Sequence, residues 1–349
     1  MTHPLALVTG APGWLGSRLV LALVRGLPDV PSLAAAPERT VRVLALRGSD
    51  TTALRALSPC VEIIDGDVTD VASLKPFFAG AEGATLFHSA GVIHPAGGTR
   101  QLFAVNEGGT RNVVDAAQNA RVRRMIHVSS NSPLGIGRSP EDVFDETVPY
   151  RPYMSYGESK KRAEELVLAA GDHLEVVIIR PPWFYGPGQP ARQSLFFTMI
   201  KDGKAPLVGP GDNRRSMAYV DNICQGLLLC EKVDRARGQI YWIADREPYA
   251  MSFILDTIED VMEKDFQVHV AHKRMKLPGF ASDVARGIDG GLQAMGLYHQ
   301  KMHVLSEMNA TIACTVAKAE RELGYDPKIA LREGMRRSIA WMLANGQTI

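Results

Sequence analysis

The chain has 349 residues, 46% hydrophobic and 22% charged, with ordinary levels of Gly and Pro, so it folds around an ample core in about two domains and is neither disordered nor collagen-like. Its 39 Lys and Arg against 38 Asp and Glu leave a net charge of +1, which supplies no field to hold a nucleic acid or an anionic membrane. Four scattered cysteines form no C-x-x-C pair, no apolar run reaches the roughly 18 residues of a membrane span, and nothing at the start resembles a secretory signal, so the expected setting is reducing cytoplasm without integral membrane insertion.

Along the first half, short aliphatic runs alternate with amphipathic segments, the pattern of parallel strands joined by helical crossovers. Strands are predicted at Leu5–Thr9, Val41–Leu46, Val61–Ile64, Ala84–His88, Arg124–Ser129 and Val176–Arg180, each nearly continuous in apolar residues, as strands buried on both faces are. Helices are predicted at Trp14–Gly26, Val71–Ala79, Gln101–Asn119, Ser155–Ala170, Val220–Val233, Ser252–Glu263, Thr315–Leu323 and Leu331–Leu343. The proline-rich stretch Pro28–Pro37 reads as a surface insertion. After Arg180 the alternation stops; PPWFYGPGQP reads as an irregular loop, and QIYWIA at 239–244 returns one more strand to the sheet.

Where the first strand runs into the first helix, TGAPGWLG places Gly10, Gly13 and Gly16 at three-residue intervals. Glycines there permit a tight turn, let the N–H groups at Trp14 and Leu15 approach a pyrophosphate, and let the helix pack closely on the strand. This predicts a nicotinamide dinucleotide cofactor. Chains of this architecture that bind NAD usually carry an acid at the end of the second strand, whereas VLAL ends here in Arg47, whose guanidinium suits a 2′-phosphate. NADP(H) is therefore favoured over NAD(H), with Asp50 as the rival group for a ribose hydroxyl. Asp67, followed by Val68 in the DGDV after the third strand, is placed either to accept from the adenine amino group or to cap a helix. The expected fold is α/β, a Rossmann doubly wound parallel sheet of about seven strands with a smaller, mainly helical, discontinuous substrate-binding domain. Residues 1–185 with 217–247 would form the first domain, and 186–216 with 248–349 the second.

The segment Tyr156-Gly-Glu-Ser-Lys160 sets a phenol and an ammonium on one face of a helix. A phenol is a poor base at neutral pH, but a nearby ammonium and an oxidised nicotinamide both favour its phenolate, which is what acid/base catalysis of alcohol oxidation requires. Tyr150 and Tyr153 have no lysine at that spacing and read as loop residues. The fifth strand ends in HVSSNS, so that Ser130 falls where a hydroxyl can polarise a carbonyl from the side opposite the tyrosine, while Ser129 points the other way.

Together, Gly10/Gly13/Gly16, Asp67, FHSAGV at 87–92, VNEGGTRNVVDAA at 105–117, VSS at 128–130 and YGESK at 156–160 resemble an extended short-chain dehydrogenase/reductase, the group that includes NAD-dependent epimerases and dehydratases. The resemblance covers nearly the whole chain. It implies Tyr156 as the acid/base, Lys160 holding the nicotinamide ribose and lowering the tyrosine pKa, Ser130 orienting the carbonyl and Asn106 supporting the site from its helix. It also implies Ala90, Gly91, Ser129, Pro181 and Trp183 beside the cofactor, and a homodimer.

Nucleotide-sugar enzymes of this group usually read R-x-F-N-x-Y-G-P after the sixth strand, the asparagine helping to hold a diphosphate; this chain has Arg180-Pro-Pro-Trp-Phe-Tyr-Gly-Pro187. Trp183 replaces the asparagine with a broad apolar face. The R-P-x-x-x-Y-G-P form resembles the 3β-hydroxysteroid dehydrogenase-like branch, as does the tail from Thr315 to Trp341, and implies a hydrophobic, steroid-like alcohol or ketone. Against it, GPGDNRRSMAYVDN at 209–222 resembles the segment in which sugar enzymes place an arginine near the diphosphate, which makes Arg214 or Arg215 a candidate substrate cation. The readings are thus a hydrophobic-substrate oxidoreductase, a nucleotide-sugar epimerase or dehydratase with recycled NAD, and a non-catalytic NADP(H) sensor. Candidate lining residues are Val92, His94, Ser130, Ser132, Trp183 and Met217, in a pocket beyond the strand ends closed by 186–216 and 248–310. No metal is expected: His299 and His303 have ligand spacing but no third partner. The segment 277–298, after Lys273, Arg274 and Lys276, reads as cap packing or an amphipathic lid, and the Asn309 sequon as a pattern without consequence.

Overall fold

The computed structural model describes residues 4–137 and 139–349. Its strands are β1 (Leu5–Thr9), β2 (Thr40–Ala45), β3 (Val61–Asp65), β4 (Thr85–His88), β5 (Arg124–Val128), β6 (Glu175–Arg180), β7 (Trp183–Tyr185), β8 (Pro206–Val208), β9 (Arg214–Arg215), β10 (Met217–Tyr219), β11 (Gln239–Trp242), β12 (Tyr249–Ala250) and β13 (Met275–Leu277). The helices are α1 (Trp14–Arg25), α2 (Thr52–Arg55), α3 (Val71–Phe78), α4 (Thr99–Leu102), α5 (Thr110–Asn119), α6 (Met154–Ala169), α7 (Ala191–Lys201), α8 (Val220–Lys232), α9 (Met251–Phe266), α10 (Phe280–Ala294), α11 (Gln300–Glu307), α12 (Ala317–Leu323) and α13 (Leu331–Ala344). Seven strands form one parallel sheet in the order β3-β2-β1-β4-β5-β6-β11.

Alternation along each strand sends side chains to two layers. On β1, Ala6 and Val8 join a core with Leu15, Leu19 and Leu23 of α1 and with α8, while Leu7 joins Phe77, Val113 and Val167 of α3, α5 and α6. β5 and β6 divide in the same way, Ile126 and Val177 to the first core, Met125 and Val176 to the second. The sheet is therefore covered by helices on both faces, as its unbroken apolar strands require. The strand order reverses between β1 and β4, which opens a crevice at their C-terminal ends.

A third core, outside the sheet, gathers Phe197 and Ile200 of α7, Ile254, Leu255 and Ile258 of α9, and Met335, Ile339 and Met342 of α13 around Tyr185 and Met217. Three two-stranded pairs, β7–β10, β8–β13 and β9–β12, tie this region together. From the tail, Cys314, Val316, Ala319, Leu323 and Tyr325 pack into the core under the sheet, where α12 lies against α8 and β11. The insertion at 28–37 is also less superficial than its prolines imply, since Val30 and Leu33 are buried and Leu27 N donates to Leu33 O at 2.7 Å. Among the described residues, no helix is long and apolar enough to cross a membrane.

Candidate active site

At the cofactor end, the three glycines are required by crowding. A methyl group on Gly10, which sits at φ +90°, would lie 2.5 Å from Ser89 Oγ, and one on Gly13 or Gly16 would lie 2.5 Å from Gly10 O. α1 then starts at Trp14 with no side-chain cap from Gly13, so its first-turn N–H groups, including those of Leu15 and Gly16, remain to receive an anion. The residues present thus fit a dinucleotide pyrophosphate. The Trp14 side chain instead fastens the 183–188 loop to the glycine turn, its Nε1 donating to Pro187 O at 2.8 Å and its ring sitting 5.1 Å from Phe184.

Beyond β2, Arg47 is exposed in the turn that Ser49 N closes on Leu46 O. Asp50 Oδ1 accepts from Thr52 N at 2.9 Å, which occupies one oxygen of an exposed carboxylate in a local turn. Asp67 Oδ1 accepts from Thr69 N and Thr69 Oγ1, both at 2.8 Å, so one carboxylate oxygen is occupied in a turn. Val68 is buried and would meet a Gly109 methyl at 2.6 Å.

Asn106 joins the cofactor rim to the catalytic helix. Its Oδ1 accepts from Val92 N at 2.7 Å, and its Nδ2 donates to Val92 O at 2.9 Å and to Ser159 Oγ at 3.0 Å. Ser159 Oγ in turn donates to Tyr156 O at 2.8 Å. The predicted helix at 101–119 is consequently not uniform: between α4 and α5 it widens into a π-helix over Phe103–Gly109, the irregularity that functional sites often carry. Gly91 and Ala90 belong to this rim, a Gly91 methyl approaching Asn106 Oδ1 to 3.2 Å.

α6 carries Tyr156 and Lys160 one turn apart, and the Ser130 hydroxyl lies near enough to the Tyr156 phenol to favour its ionised form. The approach of α6 to the 130–133 loop depends on Gly157 within the YGESK segment: a methyl group there would lie 2.5 Å from Ser132 O and force α6 off that loop. Lys160 is buried, with Nζ donating to Val128 O at 2.8 Å and 3.3 Å from His127 Nε2. Burial lowers its ammonium to about 8. Burial also raises the Tyr156 phenol to about 12, opposed by the nearby Ser130 hydroxyl and reinforced by the Glu307 carboxylate. Behind them, His88 spans Thr9 Oγ1 at 2.7 Å and Thr110 Oγ1 at 3.0 Å, and burial together with the Lys160 charge holds it down at about 3. His127 is held well below its ordinary value by the same two causes. Ser129 and Pro181 are buried at the ends of β5 and β6.

On the substrate side the structure sorts the candidates. Val92, His94 and Trp183 are half-buried, and Ser132 lies 3.4 Å from Ser130 across their hydroxyls. Trp183 packs 5.7 Å from Phe196 of α7, an apolar wall. Met217 is fully buried in the third core, on β10 where that strand pairs with β7. Of the two arginines, adjacent residues of β9 point to opposite faces, and Arg215 is the one whose guanidinium enters the interior: Nη2 donates to Glu307 O at 2.6 Å and Nε has no partner.

Three further groups come from segments without motifs, so nothing in the string marks them. The Tyr298 hydroxyl and His94 Nδ1 share a 2.6 Å hydrogen bond; His94 is lowered to about 4 by burial and by the Arg192 and His303 charges. Arg192 on α7 and Glu307 at the end of α11 are the others. The two spaced histidines have ordinary partners, His299 Nδ1 accepting from Met302 N and His303 Nδ1 standing 2.8 Å from Asp289 Oδ2.

The family model described as the 3-beta hydroxysteroid dehydrogenase/isomerase family matches residues 7–273. An uncharacterized protein, y4nL, of Sinorhizobium fredii is 50% identical over 100% of this chain and 98% of its own length. A 3 beta-hydroxysteroid dehydrogenase/Delta 5→4-isomerase of Mycobacterium tuberculosis is 29% identical, covering 97% of this chain and 90% of its own. Among solved structures, the DesIV dTDP-glucose 4,6-dehydratase of Streptomyces venezuelae, determined with NAD and TYD bound, superposes with a TM-score of 0.74 at 26% identity over 98% of this chain and 97% of that one.

Proposed function

The chain belongs to the 3-beta hydroxysteroid dehydrogenase/isomerase family, an extended short-chain dehydrogenase/reductase branch, and we propose that it is an NAD(P)-dependent oxidoreductase acting on a hydroxyl or keto carbon of a hydrophobic, steroid-like substrate. The observation that carries this is that Tyr156 and Lys160 lie one turn apart on α6, with the Ser130 hydroxyl near the Tyr156 phenol. A bound nicotinamide supplies or accepts the hydride. Tyr156 Oη takes the proton from the alcohol, or returns it to the ketone oxygen, and Ser130 Oγ holds that oxygen in line. The Lys160 ammonium, close behind on α6, favours the phenolate form that burial alone disfavours. Arg47, exposed beyond β2, is the group suited to a 2′-phosphate, and NADP(H) is the proposed cofactor. The Trp183–Phe196 wall supports the apolar body of the substrate.

A second reading, a nucleotide-sugar epimerase or dehydratase with recycled NAD, is favoured by Arg215 and Arg192 on the substrate side and by the likeness to DesIV. A panel of 3-hydroxy and 3-oxo steroids against dTDP- and UDP-sugars separates the two. Tyr156→Phe removes only the hydroxyl, so turnover is expected to fall by about 10²–10⁴ with cofactor-induced thermal stabilisation retained. Turnover near wild type refutes the mechanism.

A further inference from the structure

The helix that carries Tyr156 begins without a cap of its own. Tyr153, at the cap position of α6, makes no side-chain cap bond, and Met154, the first helical residue, has φ +53°, a region that side chains other than glycine rarely adopt. First-turn N–H groups need acceptors, and that of Ser155 finds Gln293 Oε1 of α10 at 3.0 Å. An amide can present either its oxygen or its nitrogen to such a donor. Asp289, one turn earlier on α10, decides the orientation: its Oδ2 accepts from Gln293 Nε2 at 2.9 Å and lies 2.8 Å from His303 Nδ1. A carboxylate only accepts, so the NH₂ group turns toward Asp289 and the carbonyl toward Ser155. Asp289 and Gln293 are both buried, so water does not compete for these bonds. α11 grips the same stretch, the Tyr153 hydroxyl sharing a 2.7 Å hydrogen bond with Ser306 Oγ and its ring lying 5.8 Å from the His303 ring.

We propose that Gln293, oriented by Asp289 and His303, is a positioning residue for Tyr156. The cap helices α10 and α11 hold the three residues immediately before the tyrosine, and the seating of α10 sets where Tyr156 stands relative to Ser130. The proposal rests on the reading of Tyr156 as the proton-transfer group.

Gln293→Met keeps the length of the side chain and removes the acceptor. In hydrogen–deuterium exchange on the full-length protein, the amides of residues 154–156 are expected to exchange about fivefold faster, with β1 and β5 unchanged. In reduction of a 3-oxosteroid by NADPH, kcat is expected to fall about tenfold with KM unaltered. If Gln293→Met does not fold, Ser306→Ala, which frees the Tyr153 hydroxyl from α11, is measured in its place with the same direction of both effects expected. Exchange at 154–156 and kcat both at wild-type values overturn the proposal, and so does a change in KM alone. Wild-type turnover by Tyr156→Phe instead overturns the parent reading, while the exchange result still reports whether Gln293 anchors the helix.

Discussion

Replacing Lys160 by methionine is expected to stabilise the folded chain near neutral pH while it abolishes turnover. Lys160 is 4% exposed, and the carboxylate nearest it in charge, Glu164, is committed to Arg180. Burial sets the ammonium at about 8 against an ordinary 10.5; at about 1.4 kcal/mol per tenfold, keeping it charged in the folded state costs about 3 kcal/mol at pH 7. Methionine removes that cost but leaves Val128 O without its donor, a loss of about 1–2 kcal/mol. The variant should therefore be about 1–2 kcal/mol more stable at pH 7. Because the folded value lies below the unfolded one, the unfolded chain binds the extra proton between about pH 8 and 10.5, and wild-type stability rises with pH through that window. At pH 9.5 about 2 kcal/mol of the cost is gone and the advantage of the variant disappears. Urea unfolding of both proteins at pH 7 and 9.5 measures the difference, in which titrations common to both cancel. A gap between the two proteins that is the same at both pH values, within about 0.5 kcal/mol, refutes the reasoning.

For the cofactor, NADPH should raise the thermal midpoint of the wild type more than NADH at equal concentration. Arg47→Glu should weaken NADPH roughly ten- to hundredfold, the loss of a charged phosphate contact, and reverse that order; the preference fails if NADH already stabilises the wild type more. Glu164→Ala strips the buried Arg180 of its partner at 2.6 Å and the Tyr150 hydroxyl of its acceptor at 2.7 Å. It should cost about 3–5 kcal/mol in urea unfolding, and a loss below about 1 kcal/mol would show that the pair is solvated.

The local chemistry of this protein is legible in its residues. Periodicity alone yields the seven sheet strands to within a residue or two, because strands buried between two helical layers are dominated by apolar runs. The glycine turn and the Tyr156–Lys160 spacing are set by backbone geometry within a single turn or helix, and so survive without tertiary knowledge. Where residues distant in sequence meet, local pattern carries no signal. Two adjacent arginines look alike in a string, and only the pairing of β9 with β12 decides that Arg215 enters the interior. Met217 reads as a pocket residue from its neighbours in the chain, yet its strand is interior. α10 and α11 carry no motif, yet α10 brings Gln293 to a helix about 140 residues earlier, with Ser155 N and Gln293 Oε1 in contact, and the turn between them brings Tyr298 to His94. Their placement follows from burying one face of each helix against the catalytic segment, a long-range packing choice that no local spacing encodes.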